Sequence, residues 1–467
     1  MAGPRPQLQL NERRWLLMLG DVVAVVAAVL AALRIWAWVG QRDFTASFLL
    51  SQSLWFPIFI GLWLLLASAN DFYDLRMVAE RGAAFRRLLI ITVQMVLVYL
   101  VIFFFSGRDT LPRLFTIYYG VASFVLISVW RSFYPLLAGW ASEPRRALVV
   151  GTGWAAEVII GAIITEAANE YCVVGVIGDD EQDGQVFYGV PVVNASEGLL
   201  AYAAQNRVSE LIVTSMGELK GTTFQAVMDA YAAGINIVPM PILYERITGR
   251  VPVEHVDNQW AVVLPLDENA FFKPYSIIKR LLDVVLAFVG LVLLLPVILL
   301  TGLVILLDDG WPVLYSQRRL GLNGRPFTIH KFRSMRKNAE DDTGPVFATP
   351  DDPRRLRSGK LLRRMRLDEI PQLINVLRGE MSLIGPRPER PEHVKRLMAT
   401  IPFYRTRLVI RPGLTGWAQV RYEYGKDDQD ALVKLQYDLY YIRHKSLLLD
   451  LTILLRTVGK VLRMSGV

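Results

Sequence analysis

Cysteine is almost absent. Cys172 stands alone in 467 residues, which excludes a disulfide framework and any cysteine-rich zinc module. Histidine is scarce too. His255, His330, His393 and His444 lie far apart, with no His-Glu-x-x-His or similar ligand spacing, so nothing in the sequence points to zinc. Charged residues make up only 20% of the chain against 53% hydrophobic, and mean hydropathy is +0.34. That balance excludes a disordered tail protein and a simple soluble globule.

What charge there is lies unevenly. The net charge is +8, yet residues Trp311 to Arg411 alone hold 22 Lys and Arg against 10 Asp and Glu. A basic segment this concentrated suits an anionic partner: nucleic acid, membrane headgroups or a phosphorylated substrate. A merely solvated surface would spread its excess.

Four apolar runs open the chain, Trp15–Val39, Phe48–Ala69, Leu88–Phe105 and Leu114–Ala138. Each is long enough to cross a hydrocarbon core of ~30 Å. Arg13 and Arg14 precede the first run. Arg76, Arg81, Arg86 and Arg87 lie between the second and third, and Arg145 and Arg146 follow the fourth. The positive-inside rule places these segments, and everything after Arg145, in the cytoplasm. The expectation is a multi-pass membrane protein with its later segments on the cytoplasmic side. Among the ionisable residues in these runs, Asp21 is expected to pair within the bundle, and Arg34 and Arg131 to snorkel to an interface.

A soluble segment follows, drawn over residues 141–265. The strand Ala147-Leu148-Val149-Val150 runs into Gly151-Thr152-Gly153-Trp154-Ala155-Ala156, a GxGxxA pattern that opens a helix. Further strands are expected at Val173–Ile177, Glu210–Thr214 and Ile235–Val238, with a helix near Thr223–Ala233. Strands alternating with helices predict a doubly wound, Rossmann-like parallel sheet. The helix N-terminus could hold a phosphate. Asp179 and Asp180, however, come later than the ~20-residue spacing of a ribose-binding acid. Both Tyr-x-x-x-Lys patterns, Tyr275/Lys279 and Tyr441/Lys445, fall outside this sheet. A structural or regulatory role fits this domain better than dehydrogenase chemistry.

A fifth apolar run, Leu281–Leu307, is flanked by basic residues on both sides and interrupted at Pro296. A full crossing would carry the basic C-terminal segment out of the cytoplasm. A helix–break–helix that enters and leaves on one face avoids this, and proline supplies the break.

From Lys273 to Val467 the motifs become dense. They begin with Lys279-Arg280-x-x-Asp283 and Lys331-Phe332-Arg333-Ser334-Met335. Leu367-Asp368-Glu369-Ile370-Pro371-Gln372-Leu373-Ile374-Asn375-Val376-Leu377 and Gly379-Glu380-Met381-Ser382-Leu383-Ile384-Gly385-Pro386-Arg387-Pro388-Glu389 follow. Arg411-Pro412-Gly413-Leu414-Thr415-Gly416-Trp417 comes last. In this order they resemble the bacterial sugar transferase family, the polyprenyl-phosphate hexose-1-phosphate transferases. The whole chain is similar to the long members that initiate exopolysaccharide or O-antigen synthesis. One departure is Leu295-Pro296, where many members carry Ser-Pro.

The resemblance implies a mixed membrane protein: a four-helix transmembrane bundle over 1–140, an α/β Rossmann-like domain, and a re-entrant hairpin with a small cytoplasmic α+β catalytic domain over 273–467. It implies transfer of hexose-1-phosphate from a UDP-hexose to undecaprenyl phosphate with release of UMP, at a lipid bilayer and with no nucleic acid. It also implies that Asp368 and Glu369 form the catalytic pair, one as nucleophile, with Glu369 on Mg²⁺. The arginines Arg363, Arg364 and Arg366 are expected to keep both ionised.

Residue chemistry agrees. Phosphoryl transfer needs positioning and neutralisation of charge. Arg387 between two prolines could fork onto a phosphate. Lys331 and Arg333, on one face of a strand, and Lys279 and Arg280 are the other expected substrate contacts. Without the resemblance, Asp368-Glu369 reads first as a helix N-terminal cap, and it is the resemblance that reverses this. Two alternatives remain at this level: a membrane-anchored NAD-dependent sugar-nucleotide dehydratase or epimerase, and a non-enzymatic assembly scaffold. Which hexose is used, and whether the chain forms a homo-oligomer, are not written in the sequence.

Overall fold

The computed structural model describes residues 10–73, 81–105, 114–137, 144–178, 186–194, 199–214, 221–253, 274–337, 354–422 and 428–462. Arg76, Asp179, Asp180 and the expected boundary at 265 lie outside the described residues. The chain divides into two compact units, Met1–Thr248 and Gly249–Val467. Val251 and Val253 belong to the core of the second.

The first unit opens with helices Leu10–Val39, Ala46–Ser51, Trp55–Ala69, Arg81–Phe105 and Phe115–Leu137. Trp15–Val39 and Gly82–Val101 are long and apolar enough to cross a membrane. The expected single run Phe48–Ala69 is instead two helices, because polar Ser51, Gln52 and Ser53 interrupt it. Its main part, at 15 residues, would rise only ~22 Å. Asp21 is wholly buried, as expected of a paired group. Its partner is Arg131. Arg131 does not snorkel but grips Asp21 with Nη2 at 2.7 Å and Nε at 3.2 Å, its guanidinium stacked 4.1 Å from the Phe72 ring centre. Arg34 lies over the Phe44 ring.

The rest of this unit is the expected α/β domain. Strands β1 (Arg145–Val150), β2 (Tyr171–Gly178), β3 (Val186–Phe187), β4 (Val190–Asn194), β5 (Glu210–Val213) and β6 (Asn236–Pro239) form one sheet in the order β3-β4-β2-β1-β5-β6. Only the short β3 pairs antiparallel. The central strand β1 is apolar on both faces: Ala147 and Val149 enter one core, Leu148 and Val150 the other. That is the pattern of a parallel strand covered on both sides. The helix Trp154–Glu166 packs through Ala156, Ile159, Ile160 and Ile163, an i, i+3, i+4, i+7 stripe. Gly151 adopts φ +104, and a Cβ there would meet Thr214 Oγ1 at 2.2 Å, so the turn admits only glycine.

The second unit begins with helices Pro274–Leu293 and Leu295–Asp309, bent by 60° where they meet. Leu294 is the hinge and Pro296 sits in the first turn of the second helix, where its missing N–H costs nothing. A β-hairpin follows, β7 (Leu314–Leu320) with β8 (Pro326–Phe332). The second two-stranded sheet pairs β9 (Ser382–Ile384) with β10 (Gly413–Thr415) in parallel. Ala287 of the first hairpin helix joins Ile329, Ile370, Leu373, Val376, Leu383 and Trp417 in one core. The C-terminal helix Leu447–Leu462 buries Asp450 and Ile453 in this unit and exposes Leu448 and Val458.

Candidate active site

Leu367–Gln372 is a 3₁₀ turn that leads into the helix Leu373–Arg378. Arg366 enters it at φ +54, a left-handed backbone that reverses the chain and sets Asp368 and Glu369 inward. Both are buried. Neither acts as a side-chain cap of the turn.

The two carboxylates have opposite surroundings. Glu369 Oε1 accepts from Arg387 Nη2 at 2.7 Å and from Lys331 Nζ at 3.1 Å, and Oε2 lies 3.6 Å from Arg366. Asp368 receives no hydrogen bond or ion pair among the described residues, although it is 7% exposed. Burial works to raise the pKa of Glu369, but Arg387, Lys331 and Arg366 outweigh it and hold that carboxyl well below the usual range. For Asp368, burial and then the adjacent Glu369 charge push the pKa up to about 6, against opposition from Lys331, Arg363 and Arg387. Arg363 at Asp368 and Arg366 at Glu369 act in the expected direction, towards the ionised form, but the summed effect is far larger at Glu369. The cations converge on Glu369, and Asp368 is left as an unpaired base.

The Pro386-Arg387-Pro388-Glu389 loop is held along its whole backbone. Four successive carbonyls accept from four different places: Pro386 from Gly413 N at 2.9 Å, Arg387 from Arg407 Nη2 at 3.0 Å, Pro388 from Arg319 Nη1 at 3.2 Å and Glu389 from Leu320 N at 3.0 Å. With φ locked at both prolines, the direction of Arg387 is set before any ligand arrives.

For Mg²⁺ the donor set is sparse. Among the described residues no three His, Cys, Asp or Glu side chains converge. Mg²⁺ usually takes one or two carboxylates and completes its shell with water and substrate phosphate. Adjacent Asp368 and Glu369, the former without a protein partner, fit that mode.

Residues 274–464 match the family described as bacterial sugar transferase, and residues 68–238 match the one described as CoA-binding domain. The chain is 42% identical over 231 residues to a "UDP-N-acetylgalactosamine-undecaprenyl-phosphate N-acetylgalactosaminephosphotransferase" of Aeromonas hydrophila, covering 49% of this chain and 53% of that one. It is 35% identical over 286 residues to a "UDP-glucose:undecaprenyl-phosphate glucose-1-phosphate transferase" of Xanthomonas campestris pv. campestris, covering 59% and 57%. The chain thus spans little more than half the length of these two relatives. A protein of the latter name from Escherichia coli (strain K12) is 30% identical over 370 residues, 76% of this chain and 77% of the other. The chain belongs to the bacterial sugar transferase family.

Within the sugar transferase unit, Lys331, Asp368, Glu369 and Arg387 come together as one site. The other expected contacts lie elsewhere. Lys279 donates to Asp450 at 2.9 Å. Arg280 forks onto the carbonyls of Val376 and Leu377 at 2.7 and 2.9 Å, closing the end of the helix that follows the carboxylates. Arg333 falls one residue past β8 and turns to the carbonyls of Asp309 and Gly310 at 2.9 and 2.7 Å. It therefore does not share a strand face with Lys331.

The third motif residue, Asp283, accepts from Leu383 N at 3.0 Å. Lys279, Arg280 and Asp283 thus tie one hairpin helix to three places in the soluble core. Sequence reasoning missed Arg407 and its buried partner Asp438, 2.8 Å away. Arg407 stands four residues before Arg411-Pro412-Gly413, outside every motif that carried the resemblance.

Proposed function

We propose that this protein transfers hexose-1-phosphate from a UDP-hexose to undecaprenyl phosphate and releases UMP, the first membrane step of a surface polysaccharide. The observation that carries this is the division of labour between two adjacent carboxylates. Glu369 anchors Lys331, Arg366 and Arg387 beside an Asp368 that no donor among the described residues occupies.

Asp368 attacks the sugar-bearing phosphorus. The bond from that phosphorus to the bridging oxygen breaks, and UMP leaves with the electron pair. An oxygen of the lipid phosphate then attacks the same phosphorus and expels the Asp368 carboxylate. One site thereby serves a soluble donor and a membrane-held acceptor in turn. Arg387 and Lys331 neutralise the diphosphate as it binds. Glu369 and Asp368 would hold Mg²⁺, which would further offset phosphate charge.

The bent pair Pro274–Leu293 and Leu295–Asp309 serves as a re-entrant hairpin with both ends on the cytoplasmic face of the inner membrane. The N-terminal helices supply four crossings, with Ala46–Ser51 and Trp55–Ala69 together forming the second. The α/β domain takes no part in the chemistry. A panel of UDP-sugars, incubated with undecaprenyl phosphate, tests this reading through UMP release. Wild type is expected to release UMP with one or a few sugars and only when donor is present, and Asp368→Asn is expected to release none. Release unaffected by Asp368→Asn contradicts the assignment.

A further inference from the structure

The turn that carries the two carboxylates also holds a buried amide with no bond among the described residues. Gln372 is 3% exposed, and its Nε2 is buried without a hydrogen-bond partner among the described residues. A buried amide donor left unsatisfied is costly, and native structures hold few of them.

Its position explains what it waits for. Gln372 closes the same 3₁₀ turn that carries Glu369. In a 3₁₀ turn side chains three residues apart eclipse one another. Gln372 therefore stands on the face where Glu369 gathers Lys331 and Arg387. The turn packs against β8, which carries Lys331. On this face sit three cations and one neutral donor, but Glu369 is the acceptor that all three cations share. No described residue supplies an acceptor for Nε2, and a face ringed by cations suits a bound anion rich in oxygen.

We infer that Gln372 is a catalytic residue whose side-chain N–H donates to a non-bridging oxygen of the sugar-bearing phosphate in a nucleoside-diphosphate sugar. This rests on the transferase reading. The chemistry suits a neutral amide. As Asp368 attacks, charge accumulates on the non-bridging oxygens, and a fixed donor aimed there stabilises the transition state more than the ground state. It also leaves the charge of Glu369 and its three cations undisturbed. An adjacent glutamine therefore adds what another arginine would not: a hydrogen bond without a further competitor for Glu369.

The test compares Gln372→Met, which keeps length and removes the donor, with Gln372→Glu, which keeps shape and replaces the donor by a charged acceptor. Because the amide is unsatisfied without ligand, ligand-free Gln372→Met should melt at the wild-type temperature or higher. Its kcat for UMP release should fall about a hundredfold, as for loss of one transition-state donor, and Gln372→Glu should fall further. Activity of Gln372→Met within a few fold of wild type, or a ligand-free melting temperature several degrees lower, would overturn the inference. The second outcome would mark Gln372 as a structural residue.

Protection of wild type by UDP-sugar against thermal unfolding separates this claim from the transferase reading. Should wild type release no UMP, the transferase reading falls. The contact then stands if Gln372→Met loses that protection, and fails if the variant keeps it or wild type shows none.

Discussion

The guanidinium of Arg407 holds the backbone carbonyl of Arg387 at 3.0 Å while pairing with Asp438 at 2.8 Å and donating to the Tyr404 hydroxyl at 2.6 Å. A fully buried ion pair is thus spent on directing one loop residue, whose own side chain reaches Glu369 at 2.7 Å. Arg407→Met should cost about 3–5 kcal/mol, because it strands the buried Asp438 charge. Arg407→Met with Asp438→Asn should regain much of that stability without regaining activity, since the Arg387 carbonyl still lacks its donor. Thermal melts and UMP release on the single and double variants check this. Recovery of both together would reduce Arg407 to a packing role.

Asp283 makes the equivalent link from the hairpin, accepting from Leu383 N ahead of Gly385 and the Pro-Arg-Pro loop. Asp283→Asn keeps an acceptor oxygen and should retain most activity. Asp283→Ala leaves a buried N–H unsatisfied and should lose about 1–3 kcal/mol of stability, with kcat falling more than the UDP-sugar KM rises. Equal behaviour of the two variants would remove Asp283 from the positioning of the site.

Asp368 is expected to weaken the protein it serves. A carboxyl whose folded pKa is raised to about 6 favours folding fully below its unfolded pKa, and that contribution is lost as pH rises through 6. A shift of about two units corresponds to roughly 3 kcal/mol. Asp368→Asn is neutral at every pH. In metal-free buffer it should therefore be more stable than wild type at about pH 8, and the difference should shrink to nothing by about pH 4. Melting curves across that range check it, and a less stable Asp368→Asn at high pH contradicts it.

The hairpin reading predicts one-sided ends. Single cysteines at Lys273→Cys and Arg325→Cys, in a Cys172→Ser background, should both resist an impermeant reagent applied from the periplasm. Labelling of Arg325→Cys alone would mean that the bent pair is a true crossing.

Much of this architecture was legible because it is local. β1 and the helix after it are written in consecutive residues, and each strand expected in the sheet lies within a residue or two of where the alternation placed it. Short β3 and β4 were missed, since two to five residues carry little periodicity. At the site, Asp368, Glu369 and Arg387 were visible as dense motifs. What Arg280 and Asp283 do was not, for their partners lie about a hundred residues away. The same holds for Arg131, whose partner Asp21 is 110 residues distant. Composition marks such groups as notable, but only the fold says which of them reach a ligand and which hold a loop.

The most direct measurement of the central claim is the capture of a phospho-sugar on Asp368. Enzyme stripped of polyprenyl phosphate and given UDP-hexose labelled in the sugar should release UMP in an amount matching the enzyme and retain label on the peptide containing Asp368. Added undecaprenyl phosphate should then discharge that label, and initial rates should follow ping-pong kinetics. Label never found on the protein, together with intersecting rate lines and a requirement for both substrates before any UMP appears, would contradict it.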